Sequence, residues 1–168
     1  TADLPHARTF ALAAPGMSRA SAEPLLAFRH FAGFKPYHTY SVTEPTFDAY
    51  PGDFIPEWVW EMADEHALAI TLHLVRKGAM ADPDNLEYVR SHCEKYGNAR
   101  LILAHAGRAF HAPNARSGAL GLQGLPNLWF DTSGICEAEP LTALLESFGP
   151  RRLMWGSDFP VSEQRARC

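Results

Sequence analysis

Apolar and polar positions alternate along the chain in short blocks. Thr9-Phe-Ala-Leu-Ala13 is an apolar run closed by Pro15-Gly16. From Ser18 to Phe31 the residues Leu25, Leu26, Phe28 and Phe31, with serine and glutamate near the start, predict a helix. Gly33 to Thr39 predicts a strand that Pro36 keeps short or irregular. A loop rich in proline, glycine and aspartate (Glu44 to Phe54) leads to a helix opened by Pro56 and running to about His66, with Trp58, Val59 and Met62 on one face. Leu68 to Leu74 and Arg100 to His105 predict strands on either side of a helix over Asp84 to Tyr96. In that helix Asp84 can cap, Leu86, Val89 and Cys93 share a face, and Gly97 marks the end. Gly107 to Gly124 predicts a long loop with some helix. Asn127 to Thr132 predicts a strand and Glu139 to Phe148 a helix stopped by Gly149-Pro150. The apolar Leu153-Met-Trp155 predicts a last, fully buried strand.

Strand and helix thus alternate, and the strands are almost continuously apolar, as in a parallel sheet covered by helices. No Gly-x-Gly-x-x-Gly or P-loop motif is present, which argues against a nucleotide-binding doubly wound sheet. The expected fold is an α/β (β/α)8 barrel, which takes roughly 250 residues. This chain has 168 residues and six strand candidates. The expectation is therefore an incomplete barrel, strands 3 to 8, without the first two strands and the last helix. No repeat, low-complexity tract or linker divides it, so residues 1–168 are expected to form a single partial barrel domain.

Composition narrows the function classes. Hydrophobic residues at 46% and charged residues at 20% fit a globular domain that folds around its own core. A net charge of −4 gives no electrostatic case for nucleic acid or an anionic membrane as partner. No apolar run approaches the roughly 20 residues of a membrane helix, and no charged-then-apolar leader opens the chain. The three cysteines are scattered, so neither a disulfide framework nor a cysteine-rich zinc site is expected, and a reducing, cytoplasmic setting is. The expected partner is a small-molecule substrate, and homo-oligomerisation is left open.

The chemistry lies at the ends of the strands. Lys35 and His38 close the second strand candidate, His73 the third, His105 the fourth, Asp131 the fifth and Asp158 the last. In a barrel the strand C-termini share one rim, so residues far apart in sequence converge there. A carboxylate such as Asp158 at the end of an apolar strand needs a partner or a cation. Imidazole and carboxylate are ligands of zinc and similar divalent ions, which lower the pKa of a bound water toward about 7. One histidine at a strand end is more often structural, but His73, His105 and Asp158 at equivalent ends favour ligation of one divalent metal ion, zinc first. Lys35 and His38 are candidates for substrate binding, and Lys35 could equally pair with a carboxylate inside the barrel. Asp131 suits a cap for the Asp-Thr-Ser-Gly turn. Arg108 and His111, on the loop after His105, could bind a substrate carboxylate. His6, His30, His66 and His92 read as surface residues.

Four pieces of sequence together carry a resemblance: Leu72-His73, Leu103-Ala-His-Ala-Gly107, Trp129-Phe-Asp-Thr-Ser133 and Met154-Trp-Gly-Ser-Asp-Phe-Pro160. They resemble the amidohydrolase-related family, the TIM-barrel metal-dependent hydrolases and decarboxylases related to aminocarboxymuconate-semialdehyde decarboxylase. The resemblance implies that His73 is the metal-ligand histidine after the fifth barrel strand. It implies that His105, after the sixth, is a second metal-side histidine or the general acid/base. Asp158, after the eighth, would bind metal and handle the proton of bound water. Lys35 lies at the fourth strand, where some relatives carry a metal-bridging carboxylated lysine. The family's first strand carries a His-x-His or Glu-x-His pair, and this sequence contains none. The expected reason is that the first two strands lie outside this sequence, and the alternative is a relative that has lost its metal. The reaction so implied is hydrolysis of an amide, lactone or related bond, with decarboxylation of an aromatic or unsaturated acid, or a non-catalytic barrel, as alternatives.

Overall fold

The computed structural model describes residues 6–159 and 161. Its six strands are β1 (Thr9–Ala13), β2 (Phe31–Pro36), β3 (Ala69–Leu72), β4 (Arg100–Leu103), β5 (Leu128–Asp131) and β6 (Leu153–Met154). They form one parallel sheet in sequence order, each strand paired with the next. The order and direction are those of a run of (β/α) units, and a partial barrel is what they build.

Burial alternates along the strands. Ile70 and Leu72 of β3, Leu101 and Leu103 of β4, and Leu128 and Phe130 of β5 are buried in one core cluster with the helices. Each such aliphatic side chain contributes about 1.5–3 kcal/mol by leaving water. Their neighbours Thr71, Ile102 and Trp129 are only half-buried. On that face Ala69, Arg100, Ile102, Trp129 and Met154 line a cavity, and the Arg152 guanidinium sits 4.5 Å from the Trp129 ring centroid. The near-continuous apolar strands thus belong to a sheet with one face packed by helices and the other lining a hollow.

Helix α2 (Glu57–Glu65) packs Val59, Trp60, Met62 and Ala63 inward, and α3 (Pro83–Lys95) packs Tyr88, Val89 and Cys93. Trp60 donates its indole N–H to the Tyr88 hydroxyl at 2.9 Å and stacks on Tyr96. His92 belongs to this group, stacked on Tyr88 at 3.9 Å, rather than to the surface.

Other expectations are corrected in detail. The first helix, α1 (Arg19–Ala22), is capped by Ser18 and gives way at once to a 3-10 turn over Glu23–Ala27. Pro24 is the reason, because it has no N–H to donate and its ring crowds the preceding turn. Helix α3 is capped by Asp82 rather than Asp84: the Asp82 carboxylate accepts from the Asp84 and Asn85 N–H groups. Asp82→Ala is expected to cost about 0.5–2 kcal/mol, and thermal unfolding should move down by roughly 2–4 °C per kcal/mol lost. An unchanged melting temperature would show that the cap is dispensable.

Gly107 to Gly124 is mostly helical, as α4 (Ala112–Leu122). Its buried stripe Ala112, Ala115, Gly118, Ala119 and Leu122 has helical spacing but is made of small residues, and glycine there reads as loop. Gly118 is required by close approach: a Cβ would stand 2.6 Å from Met80 Cγ and 2.8 Å from the Met80 carbonyl oxygen. Helix α5 (Ala138–Phe148) ends at Gly149 as predicted. Strand β6 is not fully buried. Leu153 and Met154 are half-buried and Trp155 is 85% exposed, because among the described residues β6 pairs on one side only, with β5. Among the described residues no helix is long and apolar enough to cross a membrane.

Candidate active site

Three histidines meet at the C-terminal ends of β2, β3 and β4. His38, on the 3-10 turn His38–Tyr40 after β2, is 3% exposed and stacks on His73 at 5.2 Å between ring centroids. His73 follows β3 directly and meets the His105 ring edge to face at 5.1 Å. The three rings, with Tyr37, Phe47, Arg108 and Phe110, line a cavity of about 160 Å³. Sequence reasoning identified the histidines and Arg108 but missed Tyr37, Phe47 and Phe110. Phe47 lies in the loop before α2, and nothing in its sequence shows that the loop folds back over His38.

Three loops are laced together around this cavity. The Arg76 N–H donates to the Phe47 carbonyl at 2.6 Å, the Arg108 guanidinium donates to the Arg76 carbonyl at 3.4 Å, and it lies 5.8 Å from the Phe47 ring. Arg76 in turn pairs with Asp82 and Asp84 at the start of α3.

His105 stands on unusual backbone. His105, Ala106, Gly107 and Arg108 have φ of 53°, 52°, 67° and 56°, a left-handed turn directly after β4. For non-glycine residues this conformation costs roughly 1–2 kcal/mol apiece, and strain of this kind concentrates at functional sites. The turn swings the His105 side chain over the sheet edge toward β5. There Asp131 Oδ1 accepts the His105 backbone N–H at 3.1 Å, and the His105 Nδ1 lies 2.9 Å from the Ser133 hydroxyl and 3.1 Å from the Ser133 carbonyl. Asp131 caps the Asp-Thr-Ser-Gly turn as expected, accepting the Ser133 N–H at 3.0 Å.

Burial pushes the His73 pKa down to about 3, and the neighbouring His105, His38, Arg108 and Lys35 push the same way. His73 is therefore a neutral imidazole near neutral pH. His38 is also lowered, first by burial and then by Arg108, against its hydrogen bond to Thr46. Lys35 is lowered by burial, opposed by the charges of Asp131 and Asp158.

The remaining candidates separate. Lys35 does not line the cavity; it sits on β2 near the Tyr37 ring, in the field of the two aspartates. Asp158 lies on the half-exposed turn after β6, at φ 53°, and its charge reaches Lys35, but it does not line the cavity with His73 and His105. His111 is exposed and outside the cavity; its carbonyl accepts the Ala115 N–H at the start of α4.

A divalent ion can be tested against these side chains. The His73 Nδ1 is buried and has no hydrogen-bond partner among the described residues, and a neutral imidazole with a bare nitrogen is the donor that zinc takes. Yet among the described residues no three His, Cys, Asp or Glu side chains stand close enough to share one ion. A catalytic zinc takes three protein ligands. The described residues therefore do not form a complete metal site.

Parallel strands in sequence order, helices on one face and polar groups gathered at the strand C-termini define a partial α/β barrel of the TIM type. The chain belongs to the Amidohydrolase family, whose pattern it matches over residues 8–167. No curated protein matches it. Among solved structures it is similar to a putative 2-pyrone-4,6-dicarboxylic acid hydrolase from Pseudomonas putida, at 20% identity and a TM-score of 0.59, over 90% of this chain and 56% of that one. It is similar to 2,6-dihydroxybenzoate decarboxylase from Rhizobium, at 12% identity and a TM-score of 0.57, over 92% of this chain and 60% of that one. A third is 5-carboxyvanillate decarboxylase from Sphingomonas paucimobilis, at 18% identity and a TM-score of 0.51, over 85% and 52%. The chain thus spans about half to three-fifths of the length of these relatives.

Proposed function

We propose that the protein hydrolyses a lactone or amide in a small, planar, carboxylate-bearing substrate. The observation that carries this reading is the cavity lined by the three histidines at the strand ends. It sets an anchored imidazole (His105) and a guanidinium (Arg108) between aromatic walls (Phe47, Phe110, Tyr37). Its volume of about 160 Å³ suits a one-ring molecule, since pockets for drug-sized ligands run from about 300 Å³ upward. Arg108 pairs with a ring carboxylate, and the Phe47 and Phe110 rings flank the apolar part.

In this reading His105 accepts a proton from water as the water oxygen bonds to the carbonyl carbon. It returns that proton to the leaving oxygen or nitrogen as the C–O or C–N bond breaks. The family also uses a divalent ion to activate water, and His73 is the residue here with the character of a ligand to it. His38 lines the cavity beside His73 while Lys35 and Asp158 stand outside it, and an ion-binding role for Asp158 requires its turn to approach the histidines. The acids named for the similar structures, a pyrone dicarboxylate and ring-hydroxylated benzoates, are planar ring carboxylates, which supports the substrate class.

Decarboxylation is the second reading, favoured by the two similar decarboxylases. There the ring carbon takes a proton as the carboxyl group leaves as CO₂. Supplying the protein with a 2-pyrone carboxylate and with a hydroxybenzoate separates the two. Ring opening of the pyrone without CO₂ release is expected. CO₂ from the benzoate with an intact pyrone would replace hydrolysis by decarboxylation.

A further inference from the structure

The Asp-Thr-Ser-Gly segment after β5 holds more than its own turn. Asp131 Oδ1 accepts three hydrogen bonds: from the His105 N–H at 3.1 Å, from the Ser133 N–H at 3.0 Å and from the Ser133 hydroxyl. A serine hydroxyl has one proton, and that of Ser133 is committed to Asp131. Toward the His105 Nδ1, 2.9 Å away, Ser133 Oγ is therefore an acceptor. The second group at Nδ1 is the Ser133 carbonyl oxygen at 3.1 Å, which can only accept. Nδ1 faces two acceptors, so it carries the ring proton, and the lone pair is left on Nε2.

We propose that Ser133, held by Asp131, is a positioning residue that locks His105 in the Nδ1–H tautomer and presents the Nε2 lone pair to the cavity. Three features make this a built arrangement. Ser133 is buried, at 5% exposure, so its hydroxyl is oriented by protein groups. The Asp131 oxygen that orients the Ser133 hydroxyl also secures the N–H of the left-handed residue bearing the imidazole, so ring and backbone are fixed together. The turn after β5, the strand next to β4, brings Ser133 to the Nδ1 side of the ring, while the ring itself lines the cavity. An imidazole with Nε2 protonated could neither accept a proton there nor donate that lone pair. The catalytic consequence rests on the reading of His105 as proton acceptor, but the tautomer does not.

Nitrogen-15 NMR of the chain labelled at its histidine rings, at alkaline pH, reads the tautomer directly. The His105 signals are identified by their loss in His105→Gln. The unsubstituted chain should show a protonated, pyrrole-type Nδ1 and a bare, pyridine-type Nε2. Ser133→Ala leaves the backbone carbonyl of residue 133 as the one remaining acceptor at Nδ1, so both signals should move part of the way toward each other as the Nε2–H tautomer gains population, and Ser133→Thr, which keeps the hydroxyl, should restore the original pair. An Nε2–H ring in the unsubstituted chain overturns the proposal, as does a Ser133→Ala spectrum identical to it. If Ser133→Ala fails to fold by circular dichroism, Asp131→Ala removes the acceptor of the seryl proton, which can then turn to Nδ1, and should move the ring toward Nε2–H; an unmoved ring again overturns the proposal. A tautomer shift with no hydrolysis in any assay leaves Ser133 in its role and removes the functional reading instead.

Discussion

Replacing His105 by asparagine is expected to lower kcat/KM for hydrolysis by about 10²–10⁴, the usual worth of a positioned general base. Asparagine is the substitution of choice because the residue sits at φ 53°, and asparagine tolerates left-handed backbone better than alanine does. The loss should fall mainly on kcat, since the carboxylate contact at Arg108 is untouched. His111→Asn serves as the control: His111 is exposed and outside the cavity, so its kinetics should match the unsubstituted protein. Steady-state rates that stay within a factor of a few in His105→Asn would remove this imidazole from the chemistry.

The largest structural effect is expected at Gly33. It pairs with Ala69 across β2 and β3, and a Cβ at Gly33 would stand 1.8 Å from the Ala69 carbonyl oxygen and 2.6 Å from its carbonyl carbon. These are backbone atoms of the partner strand, so no side-chain rotation relieves the overlap. The β2–β3 ladder consists of two registered pairs, Gly33 with Ala69 and Phe34 with Ile70. Separating the strands would therefore also draw the fully buried Phe34 from its place between Phe31 and Trp58. Gly33→Ala should cost more than about 4 kcal/mol, in the exceptional range for one substitution, against the 5–15 kcal/mol that holds a typical domain together. Denaturant unfolding should show a large fall in midpoint or no folded population. A midpoint equal to that of the unsubstituted protein would mean that the strands are not paired in this register.

What was legible in the sequence follows from how local each feature is. Strands β3, β4 and β5 announce themselves because Ile70, Leu72, Leu101, Leu103, Leu128 and Phe130 are large apolar residues within short runs bounded by polar or turn residues. His73 and His105 were legible as site residues because they directly follow such runs, and the parallel order puts those ends on one rim. Helix α4 was obscured because its packing stripe uses Ala115, Gly118 and Ala119, whose small size answers to Met80 on another element. The left-handed turn at His105–Arg108 was invisible for a similar reason. Only one of its residues is glycine, and the His105 N–H is held by Asp131 from another strand, which no local pattern shows. Phe47 and Phe110 became cavity walls through loop paths that no periodicity encodes. Ser133 stood in plain view inside a quoted motif, yet its part depends on where its hydroxyl proton goes, which only the geometry around Asp131 decides.

Hydrolysis and decarboxylation differ in whether an oxygen from water enters the newly formed carboxylate of the organic product. Turnover of a 2-pyrone carboxylate or a related ring lactone in water enriched in oxygen-18, followed by mass spectrometry of the product, reads this directly. The account predicts one oxygen-18 in the newly formed carboxylate of the opened ring, with incorporation slowed in His105→Asn in step with turnover. A product that has lost CO₂ and carries no oxygen-18 would contradict it.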